Sequence, residues 1–262
     1  SKQFTRPINE VASLYSSLIT ALAGAERVFS LLNEDVEDFT RKVEFDPSKT
    51  KGTIDFEHVY FSYIKDKPVL KDFTLDIRSG HKIALVGATG SGKSTIVNLL
   101  LRFYDIDSGS IKIDGIDIKD MSKKDLRDAI SIVLQDAVLF EDSVENNVKF
   151  GKDNATHDEF LNAIEMANCR SFVKRLPEKE KTILTEGATN ISQGQRQLLT
   201  IARAVLADPK ILILDEATSS VDTRTEKKIQ DAMVKLMQNR TSIIIAHRLS
   251  TIQDADLIVV LD

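Results

Sequence analysis

The sequence predicts an α/β fold with parallel strands buried at its centre and helices between them. Two continuous apolar runs, Ile211 to Leu214 and Ser242 to Ala246, are typical of parallel strands that are buried on both faces. A helical pattern from Thr225 to Met237 lies between these two runs. Ahead of them, alternating apolar and polar residues from Thr53 to Asp76 predict an antiparallel sheet with one solvated face.

The composition limits the class of protein. The chain has 262 residues, of which 42% are hydrophobic and 29% charged, which suits one large globular domain or two small ones. A net charge of -5 gives no general attraction to DNA or RNA, so no nucleic acid partner is expected. The one cysteine, Cys169, cannot form an internal disulfide, which favours a reducing, cytosolic environment. We expect neither a signal peptide nor a membrane span within these residues.

The remaining elements follow from hydrophobic spacing. Apolar residues recur at three- and four-residue intervals from Ile8 to Leu32, which predicts an amphipathic helix entered through Pro7. The other predicted elements are a strand from Ile83 to Val86, a helix from Ser94 to Tyr104, a hairpin from Ile111 to Ile118, a strand from Ile130 to Leu134, a helical region from Ser143 to about Leu176, a helix from Gln193 to Leu206 capped by Ser192, and a last strand from Leu257 to Leu261.

A phosphate-binding pattern lies between the strand at Ile83 to Val86 and the helix after it. Glycines let backbone N–H groups curve around phosphate oxygens, and the helix start adds a positive dipole end. Lys93 would neutralise the β- and γ-phosphates of a nucleotide, and the Ser94 hydroxyl would bind Mg²⁺. The spacing G-x-x-x-x-G-K-[ST] is met, and the candidate nucleotide-binding residues are Gly87, Ala88, Thr89, Gly90, Ser91, Gly92, Lys93, Ser94 and Thr95.

Three residues at strand ends are candidates for the chemistry of that nucleotide. Asp215 follows the buried run at Ile211 to Leu214, where its carboxylate would bind Mg²⁺. Glu216 comes next and is the candidate to orient or deprotonate the attacking water. His247, after the next strand, is a candidate hydrogen-bond donor to the γ-phosphate, although a lone histidine is more often structural.

A second anion site is predicted within a long insertion. More than a hundred residues separate the phosphate loop from Asp215, whereas a strand-to-strand crossover needs only about a dozen, so a helical subdomain is inserted there. Near its end, Ser192, Gly194 and Gln195 open a helix whose N–H groups would also meet phosphate. The economical interpretation is that this second site serves a nucleotide held by another subunit, in a head-to-tail dimer.

Together, these motifs resemble the nucleotide-binding domain of ATP-binding cassette (ABC) transporters of the exporter type, over about Ile54 to Asp262. By resemblance, Gly87 to Thr95 is the Walker A loop of a P-loop NTPase core, and Ile211 to Glu216 is the Walker B strand with its catalytic glutamate. Tyr63 resembles the aromatic residue that stacks on adenine, and Gln135 resembles the Q-loop glutamine that contacts Mg²⁺ and relays to the transmembrane part.

Other segments carry the same resemblance. Ser219 to Asp222 resembles the D-loop, Ala246 to Arg248 the switch-histidine segment, and Thr185 to Gly187 the segment before the signature that approaches the coupling helices. Residues 1–35 resemble the cytoplasmic extension of a last transmembrane helix, although a generic helix packed on its own domain is an alternative. Residues 36–262 are then the nucleotide-binding domain, with a helical subdomain at about 136–207. The family usually continues beyond the final strand, so we expect a C-terminal truncation that exposes an apolar strand edge.

The resemblance implies ATP hydrolysis to ADP and phosphate, with Lys93, Gln135, Glu216 and His247 in the catalytic site and Mg²⁺ held by Ser94, Gln135 and Asp215. It implies export driven by nucleotide-dependent dimerisation with a second cassette, and a transmembrane domain fused N-terminally, at the cytoplasmic side of the plasma or inner membrane. The cargo is not indicated. Alternatives are a soluble, non-transport ABC protein or a regulator without catalysis; a single cassette without repeats, and the presence of Glu216 and His247, argue against them.

One departure from the family concerns the signature segment, Ile191 to Gln197. The family usually has leucine and glycine where this chain has Ile191 and Gln193, and Gln193 adds a side chain where backbone would approach phosphate. Our hypothesis is that the composite site receiving this signature is weakened, as in exporters built from two unlike halves. The alternative is that glutamine is tolerated at this helix position and the protein is an active homodimer.

Overall fold

The computed structural model describes residues 2–34, 36, 42–215, 221–246 and 253–262. The chain divides into two compact units, Ser1–Phe39 and Thr40–Asp262. The first unit contains one helix, α1 (Lys2–Leu32), whose apolar side chains from Ile8 to Leu32 are exposed. The predicted entry through Pro7 is wrong, because the helix begins at Lys2 and Pro7 lies inside it. A proline this near a helix start removes only one early backbone hydrogen bond.

The second unit contains two sheets and seven helices among its described residues. In chain order these are β1 (Ile54–Phe61), β2 (Leu70–Ile77), β3 (Lys82–Gly87), α2 (Lys93–Leu100), β4 (Ser108–Ile113), β5 (Ile116–Asp117), α3 (Lys123–Asp128), β6 (Ile130–Val133), α4 (Val144–Lys149), α5 (His157–Met166), α6 (Arg170–Val173), α7 (Gln193–Ala207), β7 (Ile211–Asp215), α8 (Thr223–Met237), β8 (Thr241–Ile245) and β9 (Leu257–Leu261).

The central sheet is parallel, in the order β6-β7-β8-β3-β9. The apolar runs predicted as buried strands form β7 and β8 at its centre. Ile211 and Ile213 pack into one core and Leu212 and Leu214 into the other, because neighbouring side chains of a strand point to opposite faces. The α/β fold predicted from the sequence is therefore confirmed.

Each face of the central sheet has its own hydrophobic core. One core joins β7 and β8 to the inserted helices α4 to α7 and to α8, and it includes Phe160, Cys169 and Leu198. The other joins the central sheet to α2 and to the antiparallel sheet β2-β1-β4-β5, where Phe56 and Ile111 are fully buried partners. The central sheet thus holds the antiparallel sheet and the inserted helices apart, on opposite faces.

Two predicted helical segments differ from what the hydrophobic spacing indicated: one ends earlier, and the other is divided into shorter helices. The helix expected from Ser94 to Tyr104 stops at Leu100, because Arg102 has a left-handed φ of 53° that a helix does not accommodate. The helical region expected from Ser143 to about Leu176 is three short helices, α4 to α6. Among the described residues, no helix has the length and apolarity needed to cross a bilayer.

Candidate active site

The phosphate-binding loop connects the end of β3 to the start of α2, the arrangement predicted from the sequence. Gly92 is the N-cap of α2, and Lys93 is its first residue. The Lys93 side chain is buried, and its Nζ donates hydrogen bonds of 2.8 Å and 2.7 Å to the carbonyls of Gly87 and Ala88. The lysine side chain therefore folds back over its own loop, and its ammonium group lies beside the loop's backbone carbonyls.

Gly87 and Ser91 show why the loop has this sequence. A Cβ atom at Gly87 would lie 2.3 Å from the Leu261 carbonyl of β9 and 2.6 Å from Ser91 Oγ, so only glycine fits there. Ser91 Oγ is buried without a hydrogen-bond partner among the described residues. Buried hydroxyls in native proteins nearly always bond to a protein group, a water, an ion or a ligand. This donor, with the Lys93 ammonium, suits a phosphate group.

A cleft of about 420 Å³ opens beside the loop. Its lining combines loop residues with residues from five other places in the chain, among them Tyr63 after β1, Gln135 after β6 and Asp215 at the end of β7. The predicted site residues that line it are Tyr63, Thr89, Gly90, Gly92, Lys93, Ser94, Thr95, Gln135 and Asp215. Val69 and Ile245 also line it and were not predicted as site residues, since a valine before a strand and an isoleucine at the end of one carry no functional pattern.

Tyr63 is fixed against the start of α2. Its hydroxyl donates to Thr95 Oγ1 at 3.2 Å and accepts from Asn98 Nδ2 at 3.4 Å. Thr95 is buried, whereas the Tyr63 side chain is 46% exposed, so one end of the ring is anchored and much of it stays accessible. This arrangement suits an aromatic surface on which a ligand ring packs.

Gln135 lies in a segment that is held from α7. The Gln197 side chain is buried, and its Nε2 donates to the Leu134 carbonyl at 3.2 Å. The Arg203 guanidinium, further along α7, donates to the Val138 carbonyl at 3.0 Å and lies 5.5 Å from the centroid of the Phe140 ring. From the sequence, Gln197 was placed only in the signature segment and Arg203 was given no role, because their partners are carbonyls about sixty residues away.

The residues predicted for a second anion site lie at the start of α7. Ser192 is the N-cap, and a reciprocal capping box joins its hydroxyl to the Gln195 N–H and the Gln195 side chain to the Ser192 N–H. Gln193 is half-buried at the first helical position, and Gly194 is buried. Among the described residues, the lining of the Lys93 cleft does not include Ser192, Gly194 or Gln195.

Several predicted functional residues lie outside the described residues. These are Glu216, His247, Arg248, and Ser219 and Ser220 of the D-loop-like segment. The last residue of that segment, Asp222, is described as the N-cap of α8. Hydrogen bonds from the Thr225 hydroxyl and then from the Thr225 N–H, the latter at 3.0 Å, lower the pKa of the Asp222 carboxyl.

A phosphate loop at the carboxyl edge of a parallel sheet, with an acidic strand end at the same edge, defines the class of P-loop NTPase domains. The inserted helices and the second, antiparallel sheet narrow that class. The chain belongs to the ABC transporter family, whose family model matches residues 70–219. The family match confirms the resemblance to ABC transporters that the sequence motifs indicated.

Individual relatives agree with this assignment. The chain is 49% identical over 261 residues to the uncharacterized ABC transporter ATP-binding protein YfiC of Bacillus subtilis, covering 100% of this chain and 43% of the relative. It is 49% identical over 259 residues to a fatty acid ABC transporter ATP-binding/permease protein of Mycobacterium bovis, covering 99% and 41%. The solved structure of a bacterial Atm1-family ABC exporter with ATP bound matches with a TM-score of 0.79 and 38% identity, covering 100% of this chain and 46% of that one. The chain therefore spans less than half of each.

Proposed function

We propose that this chain binds ATP with Mg²⁺ in the cleft beside the phosphate loop and hydrolyses it as one half of a cassette dimer that drives export. The observation that carries this proposal is the cleft itself, because it gathers Lys93, Ser94, Gln135, Asp215 and Tyr63 from four separate segments around one cavity. A lysine, three side chains with oxygen donors for a metal and an aromatic ring are the groups that a magnesium nucleotide requires.

Each of these residues has a distinct role in the proposal. The loop N–H groups and the Lys93 ammonium bind and neutralise the β- and γ-phosphates, and Tyr63 packs against the base. Ser94, Gln135 and Asp215 would hold Mg²⁺, which supplies charge neutralisation between the phosphates when it is bound. Glu216 directly follows Asp215 in sequence and would orient the attacking water or accept its proton, while His247 would donate a hydrogen bond to the γ-phosphate.

The second cassette is proposed from the start of α7. A capped helix N-terminus with a glycine in its first turn attracts anions, yet it does not belong to the lining of the Lys93 cleft among the described residues. A nucleotide bound by a partner cassette would meet this N-terminus. In this arrangement each chain supplies Lys93 and Asp215 to one nucleotide, and Ser192 and Gly194 to the other.

Two observations support a transmembrane partner: the greater length of a relative, and a groove on the surface of this chain. The M. bovis relative is described as an ATP-binding/permease protein and is more than twice as long as this chain. A groove of about 450 Å³ runs beside the Q-loop-like segment, and Leu134, Val138 and Phe150 in its lining are exposed apolar side chains. Exposed apolar grooves of this kind mark protein interaction sites. The groove thus supports docking of a membrane domain at the cytoplasmic side of the membrane.

Lys93→Ala and Glu216→Gln in the full-length protein test the two halves of the proposal. Lys93→Ala should weaken ATP binding by about 10- to 100-fold, because charge-assisted hydrogen bonds to phosphate are lost. Glu216→Gln should bind ATP normally but hydrolyse it at least about 100-fold more slowly. Binding is measured by titration and hydrolysis by phosphate release.

Lys235→Ala, at the exposed end of α8, is the matched lysine control and should change neither quantity. Unchanged ATP affinity in Lys93→Ala would reject the phosphate site. Normal turnover in Glu216→Gln would remove that residue from catalysis while leaving the binding site intact.

Gln193 is the residue through which we test whether the two nucleotide sites of the dimer are equivalent. If its side chain weakens the site that receives this signature, Gln193→Gly should raise ATP turnover of the assembled protein. Gln193→Ala separates the two contributions, since it removes side-chain bulk without adding backbone freedom. Equal turnover in wild type and Gln193→Gly would instead favour the alternative of an active homodimer that tolerates glutamine.

A further inference from the structure

The segment after α2 leaves the helix through a fixed turn. Arg102 adopts a φ of 53°, which redirects the chain directly after the helix. Its guanidinium is largely buried and donates to the carbonyls of Ile118 and Met121, at 3.4 Å and 3.3 Å, and to Asp105 Oδ1 at 3.2 Å. These contacts hold the backbone on both sides of Tyr104.

Because of this turn, Tyr104 contacts the aromatic residue of the ATP cleft. The centroids of the Tyr104 and Tyr63 rings are 5.0 Å apart, with an angle of 90° between the ring planes. Phe61 contacts Tyr63 from β1 at 4.8 Å and 85°, and it also lies 5.9 Å from Tyr104. The three rings form one cluster, which we call the aromatic cluster (Phe61, Tyr63, Tyr104).

The geometry of the aromatic cluster fixes the Tyr63 ring without stacking on it. Perpendicular, edge-to-face contacts are favourable for aromatic rings and restrict the tilt of each partner. The two rings that contact Tyr63 in the described part of the chain are both nearly perpendicular to it, so neither takes the parallel position that a base would occupy. Hydrogen bonds with Thr95 and Asn98 hold the hydroxyl end of the same ring.

We infer that Tyr104 is a positioning residue for the nucleotide base, acting through Tyr63. This inference rests on the proposed function, in which Tyr63 packs against the base of ATP. Tyr104 is 48% exposed, so burial of its own side chain explains little of its placement. Its ring contact instead orders Tyr63 before ligand binds, and ordering a side chain in advance lowers the entropy lost on binding.

The experiment compares two ligands on the full-length protein: ATP, and inorganic tripolyphosphate, which has no base. Tyr104→Ala should weaken ATP binding by about two- to tenfold, the worth of an aromatic pair, and leave tripolyphosphate binding unchanged. Tyr104→Phe keeps the ring and should bind ATP like wild type. Tyr60→Ala, a similarly exposed tyrosine on β1, is the matched control and should change neither affinity.

A double-mutant cycle tests that Tyr104 acts through Tyr63. In a Tyr63→Ala background, Tyr104→Ala should have no further effect on ATP affinity, because the ring that it positions is gone. Additive losses, unchanged ATP affinity in Tyr104→Ala, or an equal loss for ATP and tripolyphosphate would each overturn the inference. Failure of wild type to bind ATP would instead reject the proposed function, so the two failures are distinguishable.

Discussion

At the start of α7, Gly194 allows close packing within the chain and also belongs to the proposed contact with a nucleotide held by a partner subunit. A Cβ atom at Gly194 would lie 2.4 Å from Thr225 Cγ2 and 2.9 Å from Val221 Cγ1. Val221 belongs to the D-loop-like segment, and Thr225 is in the first turn of α8. The glycine therefore lets α7 lie close to Val221 and to the first turn of α8.

Gly194→Ala should destabilise the protein by about 1–3 kcal/mol, the usual effect of overpacking a tight contact. Alanine is the better helix former, so without this clash the substitution would stabilise α7. Adding Thr225→Ser removes the nearer of the two clashing methyl groups and keeps the backbone N–H that caps onto Asp222. Urea unfolding of the single and double variants measures the recovery, with Thr225→Ser alone as control. A stable Gly194→Ala, or no recovery in the double variant, would show that the contact is not limiting.

At the scale of elements, the local sequence pattern predicts a strand that is buried on both faces. It does not predict the end of a helix where that end depends on a distant contact. The runs at β7 and β8 could be predicted because continuous aliphatic sequence has few other uses. The end of α2 could not, since Phe103 and Tyr104 continue the helical spacing. What stops the helix is Arg102, whose side chain bonds to carbonyls 16 and 19 residues further along the chain.

The residues of the candidate site also divide into those that the sequence predicts and those that it does not. The loop and Asp215 are predictable from the residues, because each lies at the end of a strand and the carboxyl ends of parallel strands meet at one edge of the sheet. Gln135 was assigned only by resemblance to the family. Val69 and Gln197 are not predictable, because each acts through a fold contact that leaves no pattern in the sequence. Tyr63 was assigned only by resemblance, and its hydrogen bond to Thr95 gives the physical reason for its place beside the loop.

The N-terminus of α5 gives a pH-dependent prediction. Hydrogen bonds from the Lys152 ammonium and then from the Thr156 N–H lower the pKa of Glu159 from 4.5 to about 2, in a capping box with Thr156. A lowered pKa means that this stabilisation is complete above about pH 4.5 and is lost as the pH falls towards 2. Glu159→Gln should therefore unfold at lower urea concentration than wild type at pH 6, with a gap that narrows below pH 4.5.

The midpoints of urea unfolding of wild type and Glu159→Gln, measured at intervals from pH 6 to pH 2.5, check this pH dependence. Glu165→Gln, near the other end of α5, reports the effect of removing a surface carboxylate from the same helix. A gap between wild type and Glu159→Gln that stays constant over the whole range would rule out the cap as its source.

For the nucleotide-binding unit as a whole, the two cores share one sheet, and this sharing predicts cooperative unfolding. Leu212 and Leu214 belong to the core of inserted helices, while Ile211 and Ile213 on the same strand belong to the core of the antiparallel sheet. Separating the helices would expose one face of the strands that lead to Asp215 and Ala246. We therefore expect ATP, bound at the carboxyl edge of the central sheet, to protect the helical core as well.

Cys169 tests that expectation, since it is fully buried in the helical core and donates to the Leu198 carbonyl at 3.1 Å. Burial also raises the pKa of its thiol, so alkylation requires opening of the core. If opening is global, ATP at about 100 times its dissociation constant should slow labelling of Cys169 by roughly 100-fold. Mass spectrometry of the peptide that carries Cys169 measures this in the full-length protein. Lys93→Ala should lose most of the ATP protection, whereas protection absent in wild type would mean that the helices open independently of the site.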